Sequence, residues 1–236
     1  MEKIEATFRI VTPMFIGGAG QQEVELRAPS IKGVLRFWYR ALYPNACASD
    51  EFRVFGGAEG GMGQCMFQLK LSCISIKRAG IGDQRWDKSK TAYLGYGVIM
   101  RDKTGETYIG SDGKPKEIQK YITIRPYIKE SSAFKLTVIF KPKKVAASEK
   151  ESVNHYADIQ RVKRALWGMV MYGGLGARSR KGFGSIVVEK VEGMDGLPTL
   201  VPKTREELVS CLKQFAHDTE VERLGDGAYP GHTCFS

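Results

Sequence analysis

Histidine and cysteine, the residues that most often build metal and disulfide sites, are thin in this 236-residue sequence: 3 histidines and 5 cysteines. The cysteines stand at 47, 65, 73, 211 and 234. Their number is odd and no CxxC pair occurs, so neither a metal centre, a disulfide framework nor a cofactor is expected. The thiols read instead as small, semi-buried apolar groups. Long apolar runs are also missing, and none approaches the roughly 20 residues that cross a bilayer, so no membrane partner is expected. Met1 to Ile10 alternates charged and apolar residues rather than forming a signal-peptide core, and a cytoplasmic location is the expectation. Acidic residues are the third shortage. Asp and Glu number 26 against 36 Lys and Arg, for a net charge of +10 and a pI near 9.3. Such an excess favours an acidic partner: nucleic acid, an anionic membrane or an acidic protein.

What is present is enough for a globular core, with 42% hydrophobic and 26% charged residues. Glu2 to Thr12 alternates with Ile4, Ala6, Phe8 and Ile10 on one face, a half-buried strand. Ser30 reads as the N-cap of a helix from Ile31 to about Tyr43, followed by Pro44. A short helical piece, Asp50 to Phe55, ends at Gly56-Gly57. Gln64 to Lys77 alternates again, with Cys65, Phe67, Leu69, Leu71, Cys73 and Ser75 on one side, and is expected to pair in a central sheet. Residues 79–120 are irregular and read as an inserted subdomain with hairpin strands Tyr93 to Arg101 and Lys120 to Arg125. Ala133 to Lys141 is a strand. Ser152 to Tyr172 is a helix with a core stripe of Tyr156, Ile159, Val162, Leu166 and Met169. Gly173-Gly174 stops it, on the expectation of a left-handed turn past its end. Phe183 to Val191 is a strand, Thr204 to Phe215 a last helix, and the tail from Arg223 looks irregular. The order βαββαβ, with a large insertion after the central strand, is that of an α+β, ferredoxin-like (RRM-like) fold. The domain expected is 1–192, with 79–120 inserted and 193–236 as a C-terminal helix and tail.

Two segments concentrate positive charge. In Ser30 to Leu42, Ile31, Leu35, Trp38 and Leu42 form a core stripe, and Lys32, Arg36 and Arg40 a cationic one on another face. No acid lies between Arg27 and Asp50 to offset that stripe. Trp38 falls on the core side; Tyr39, beside Arg36 and Arg40, is the aromatic expected to touch a ligand. The second segment is GGLGARSRKGFGS, Gly173 to Ser185, in which Arg178, Arg180 and Lys181 lie among five glycines. Glycine lets backbone N–H groups approach a phosphate, and guanidinium groups grip it bidentately. Neither a P-loop nor a dinucleotide fingerprint fits, because the residue order breaks the first and a helix rather than a strand precedes the loop. Single-stranded nucleic acid suits it better. Residues 161–190 hold seven cations against one acid. If about six of these neutralise phosphates, single-strand affinity should fall with a log–log salt slope of about −4.

TPMFIGGAG (Thr12 to Gly20), ELRAPSIKGVLRFWYRAL (Glu25 to Leu42), EFRVFGG (Glu51 to Gly57) and the glycine-rich loop together resemble the RAMP superfamily of CRISPR proteins. The N-terminal segments are similar to those of the first subunit of the Cmr-type (type III-B) effector complex. The resemblance implies a non-catalytic, RNA-binding subunit of a ribonucleoprotein that serves antiviral defence. Its partners would be crRNA, target single-stranded RNA and other Cmr-type RAMP subunits. It implies RNA-facing roles for Lys32, Arg36, Arg40, Arg178, Arg180 and Lys181, with Gly17 and Gly18 shaping the groove wall. The family commonly carries a second ferredoxin-like half, for which the residues after Ser185 are too few.

For catalysis the candidates are weak. His155, His217 and His232 join no recognisable constellation, and Asp50-Glu51 reads as negative charge suited to a helix N-terminus. No catalytic residue is therefore assigned. The alternative is a RAMP-type endoribonuclease that processes repeat RNA, and Asp50 is the acid to mutate first.

Overall fold

The computed structural model describes residues 2–18, 23–57, 64–83, 91–102, 107–109, 111, 113–117, 120–142 and 149–225. The elements run β1 (Lys3–Ile10), α1 (Ala28–Leu42), α2 (Ala48–Phe55), β2 (Phe67–Ser75), β3 (Arg78–Ala79), α3 (Thr91–Leu94) and β4 (Ile99–Asp102). There follow β5 (Thr107–Ile109), β6 (Pro115–Glu117), β7 (Lys120–Thr123), β8 (Tyr127–Ile128), β9 (Ala133–Phe140), α4 (Glu149–Tyr172), β10 (Ile186–Glu192) and α5 (Arg205–Gly225).

Alternation of side chains builds the main sheet. Ile4, Ala6, Phe8 and Ile10 of β1 and Phe134, Leu136, Val138 and Phe140 of β9 are all buried, whereas their neighbours in sequence face outward. The four strands lie in the order β10-β1-β9-β2 and every neighbour is antiparallel. Phe8 stands opposite Phe134, their rings stacked 5.1 Å apart. Since β1 and β2 both run against β9, they are parallel to each other; β9 and β10 are parallel by the same reasoning through β1. β2 is an edge strand rather than a central one. Its alternation fails near a bulge between Cys73 and Ser75, where Cys73, Ile74 and Ser75 are all exposed.

α1 and α4 cover the apolar face. Ile31, Leu35, Trp38 and Leu42 join Ile159, Val162, Leu166 and Met169 in one core. The expected stripe of α4 does not extend to Tyr156, which is 63% exposed; burial begins one turn later, at Asp158 and Ile159. α1 begins at Ala28, with Arg27 as N-cap and Pro29 in the first turn. Proline is tolerated there because the first-turn N–H groups have no helical acceptor, so Ser30 lies inside the helix rather than capping it. α5 is longer than the sequence suggested. It docks through Phe215, which stacks 3.9 Å from the ring of buried Trp167, while the Trp167 indole N–H donates to the Pro198 carbonyl at 2.8 Å. The rest of the tail, with His232 and Cys234, lies outside the described residues.

Between β2 and β9 the chain forms small antiparallel pairs, β3–β8, β4–β7 and β5–β6. Tyr93 belongs to the short helix α3 rather than to a strand. This region is fastened by a second core in which Val98, Ile99 and Tyr127 pack with Phe15 and Phe183. Among the described residues no helix is long and apolar enough to cross a membrane, and no group of three His, Cys, Asp or Glu stands together as a metal site.

Candidate nucleic-acid interface

The cationic stripe of α1 is real, but it is not uncompensated. α2 folds back so that Glu51 sits between two of its arginines. Arg40 donates to both carboxylate oxygens, Nε at 2.6 Å and Nη2 at 2.7 Å, and Arg36 Nε lies 3.0 Å away. Arg36 also donates through Nη2 to the Gly56 carbonyl at 2.9 Å. The hydrogen bonds from Arg40, with the charges of both arginines, hold the Glu51 carboxyl below the usual range. Asp50 is likewise engaged: it accepts from the Cys47 thiol at 2.9 Å and backbone N–H at 3.3 Å, closing the start of α2, and from Arg53 at 2.8 Å. The Cys47 thiol bond is the largest of the effects that lower its pKa. Arg53 in turn grips Asp158 of α4, 2% exposed, with contacts of 2.6 and 2.9 Å. That bidentate pair locks α2 onto α4.

Tyr39 does not face a ligand. It is 1% exposed, packed against Tyr43 and Phe55, and burial pushes its hydroxyl up to about 12. Residue 39 lies four residues after buried Leu35 and eight after buried Ile31, and therefore shares their inward side. The exposed aromatic of α1 is Phe37, which sequence reasoning passed over. Its signal was its position: a large ring off the stripe at 31, 35, 38 and 42.

Lys32 lines an open groove of about 600 Å³ between α1 and α2, together with Gly33, Arg36, Phe52 and Gly56. The glycine-rich loop runs close to the same helix. The Arg180 guanidinium lies over the Phe37 ring, 5.5 Å from its centroid, and Trp38 packs beneath Gly173. Arg178 stands just before a single 3₁₀ turn, Ser179–Lys181. Among the described residues no carboxylate lies within ion-pair distance of Lys32, Arg178, Arg180 or Lys181.

The loop's glycines serve packing more than phosphate access. Backbone N–H groups of Leu175, Ala177, Lys181, Phe183 and Gly184 all donate to carbonyls of the protein. Neither Gly173 nor Gly174 takes the left-handed turn expected of them; a Cβ on either would stand 2.7 Å from the Trp38 indole nitrogen or the Gly184 carbonyl oxygen respectively. Gly17 and Gly18 follow the residues that meet the loop and turn instead toward 23–25. Phe15 bridges to Ala177, Gly17 to Val24, and the Gly18 N–H donates to the Glu23 carbonyl at 3.1 Å.

Not all charge counted in the sequence reaches this surface. Lys163 is buried with its Nζ 2.8 Å from Glu2, Lys190 pairs with Glu192 at 2.8 Å, and Arg161 lies over the Tyr43 ring. His155 lies on α4 and His217 on α5.

Comparison with known proteins places this arrangement. The RAMP superfamily model matches residues 7–187. The CRISPR system Cmr subunit Cmr1-2 of Pyrococcus furiosus is 24% identical over 204 residues, covering 80% of this chain and 98% of that protein. Subunit Cmr1-1 of the same organism is 28% identical over 174 residues, covering 70% of this chain and 40% of its own length. The apo crystal structure of Cmr1 from Pyrococcus furiosus superposes with a TM-score of 0.56 at 23% identity, over 93% of this chain and 60% of that one. A chain in the cryo-EM structure of the type III-B Cmr-beta complex bound to cognate target RNA gives 0.55 at 14% identity, over 93% and 62%. The chain thus spans nearly all of Cmr1-2 and less than two thirds of the other three. With the family model covering well over half of its residues, the chain belongs to the RAMP superfamily and is of the Cmr type.

Proposed function

We propose that the chain is a non-catalytic RNA-binding subunit of a type III-B CRISPR effector, gripping crRNA or target RNA by its backbone in cytoplasmic antiviral defence. Its neighbours in that complex would be other Cmr-type RAMP subunits. The observation that carries the reading is the meeting of Arg180 with Phe37, which joins the loop cations, unpaired among the described residues, to the helix that presents Lys32. Cations without internal carboxylate partners are the ones able to displace counterions from phosphates. The kinship with Cmr1 subunits supplies the biological setting. The sheet supports a ferredoxin-like module: the connections that carry α1 and α4 each join two parallel strands separated by a strand of the other pair, as in a split βαβ arrangement.

The test is binding of single-stranded RNA at low salt. Arg178→Ala combined with Arg180→Ala is expected to weaken binding at least tenfold while leaving the urea midpoint in place; hydrogen bonds to charged groups are worth about 1.5–3 kcal/mol each. Unchanged affinity would overturn the reading. Specific products from repeat RNA in a metal-free assay, lost in His155→Ala, would replace it by an endoribonuclease.

A further inference from the structure

One exposed aromatic residue meets a loop arginine, and a second follows it in the turn before β4, beside the residue that the other arginine approaches. Phe37 is 46% exposed. A single exposed apolar side chain is ordinary and by itself means little. Here, however, Arg180 lies over the ring, and one turn earlier Gly33 leaves open space, with no atom within 4 Å of where a Cβ would stand. Arg178 reaches the other way. Its Nη2 lies 3.4 Å from where a Cβ on Gly97 would be, and Gly97 follows Tyr96, which is 75% exposed. That turn is held by the Val98 N–H donating to the Gly95 carbonyl at 2.8 Å, and is fastened to the loop by Val98, Ile99, Phe15 and Phe183.

The geometry points to a base-stacking platform: Phe37 and Tyr96 receive bases of unpaired RNA while Arg178 and Arg180 hold the intervening phosphates. This rests on the reading above that the chain binds single-stranded RNA, and adds to it the two side chains that receive the bases. Bases in a duplex are already stacked on each other, whereas those of a single strand can splay onto aromatic rings or guanidinium planes. The open face of the main sheet does not compete for this role. Its outward residues Lys3, Glu5, Thr7 and Arg9 of β1 and Lys135 and Thr137 of β9 include no aromatic ring, and several are tied in ion pairs, Lys135 to Glu5 at 3.0 Å and Arg9 to Glu189 at 2.8 Å.

The experiment uses the full chain with three probes: an unpaired RNA of about ten nucleotides, the same RNA annealed to its complement, and a version lacking its bases. Phe37→Ala and Tyr96→Ala are each expected to lower affinity for unpaired RNA roughly tenfold, with the salt slope unchanged. Phe37→Trp should retain binding, and on the base-free strand all three variants should match the parent chain. Urea midpoints equal to the parent's exclude misfolding, a control needed above all for Phe37, which is half-buried. Parent-like binding by both alanine variants, or equal affinity of the parent for the duplex, overturns the platform and leaves the function standing. A Phe37→Ala penalty that persists on base-free RNA would show that the ring only props Arg180, and also overturns it. Failure of the parent chain to bind any RNA removes the function and the platform together.

Discussion

Arg178 sits in the left-handed region of backbone space, with φ of 61°, immediately before the turn that carries Arg180 and Lys181. A non-glycine residue there costs about 1–2 kcal/mol, a cost that glycine escapes. The loop therefore holds an arginine in a conformation that glycine would adopt without strain. Arg178→Gly should raise the urea midpoint or leave it unchanged, while weakening RNA binding roughly tenfold. A variant that is stable and binds like the parent would mean that the guanidinium contributes nothing to the interface. At this scale the sequence located the cations but not their partners. Glu51 lies eleven residues from Arg40, and only the return of α2 brings the two together. Tyr39 was misplaced for a related reason. Adjacency to Arg36 and Arg40 in sequence says nothing about the 100° of helix rotation that carries it inward.

Elements with unbroken periodicity were legible. β1, β9, α1 and α4 declare themselves because one face of each is buried along most of its length. Their ends were less so, since caps are local geometry: Pro29 starts α1 earlier than Ser30 suggested, and α5 runs on past Phe215 where apolar spacing fades. There the Thr219 hydroxyl donates to the Phe215 carbonyl at 2.7 Å, inside the helix. The glycine-rich loop was recognised by composition, yet its internal roles differ from residue to residue. At Gly184, φ is +63° and a Cβ would collide with the Leu175 carbonyl oxygen, while the Leu175 N–H donates to the Gly184 carbonyl at 2.9 Å and closes the loop. At Gly182, φ is +86° but the surrounding space is open. Gly184→Ala should thus cost more than Gly182→Ala, with the latter losing about 1 kcal/mol and the former at least twice that. Urea denaturation of the two variants provides the comparison. Equal losses would show that the Leu175 contact relaxes freely.

At the scale of the molecule, charge decides how strongly RNA is held, and here sequence counting overshoots. Residues 161–190 carry a net charge of +6, but Lys163 is buried against Glu2 and Lys190 is occupied by Glu192. Among the described residues the interface offers Lys32, Arg178, Arg180 and Lys181 without carboxylate partners, while Arg36 and Arg40 share Glu51. Four phosphate contacts on a single strand give a log–log salt slope of about −3 rather than the −4 expected from composition. Glu51→Gln separates the two counts. It keeps an acceptor for Arg40 but removes the charge that both arginines neutralise, so each becomes available to a phosphate. The slope should steepen by about one, and affinity at low salt should rise even though the α1–α2 contact is weakened. An unaltered slope in Glu51→Gln, measured between 50 and 200 mM salt as for other polyanion complexes, would mean that RNA never reaches the α1 arginines and that the grip is confined to the loop.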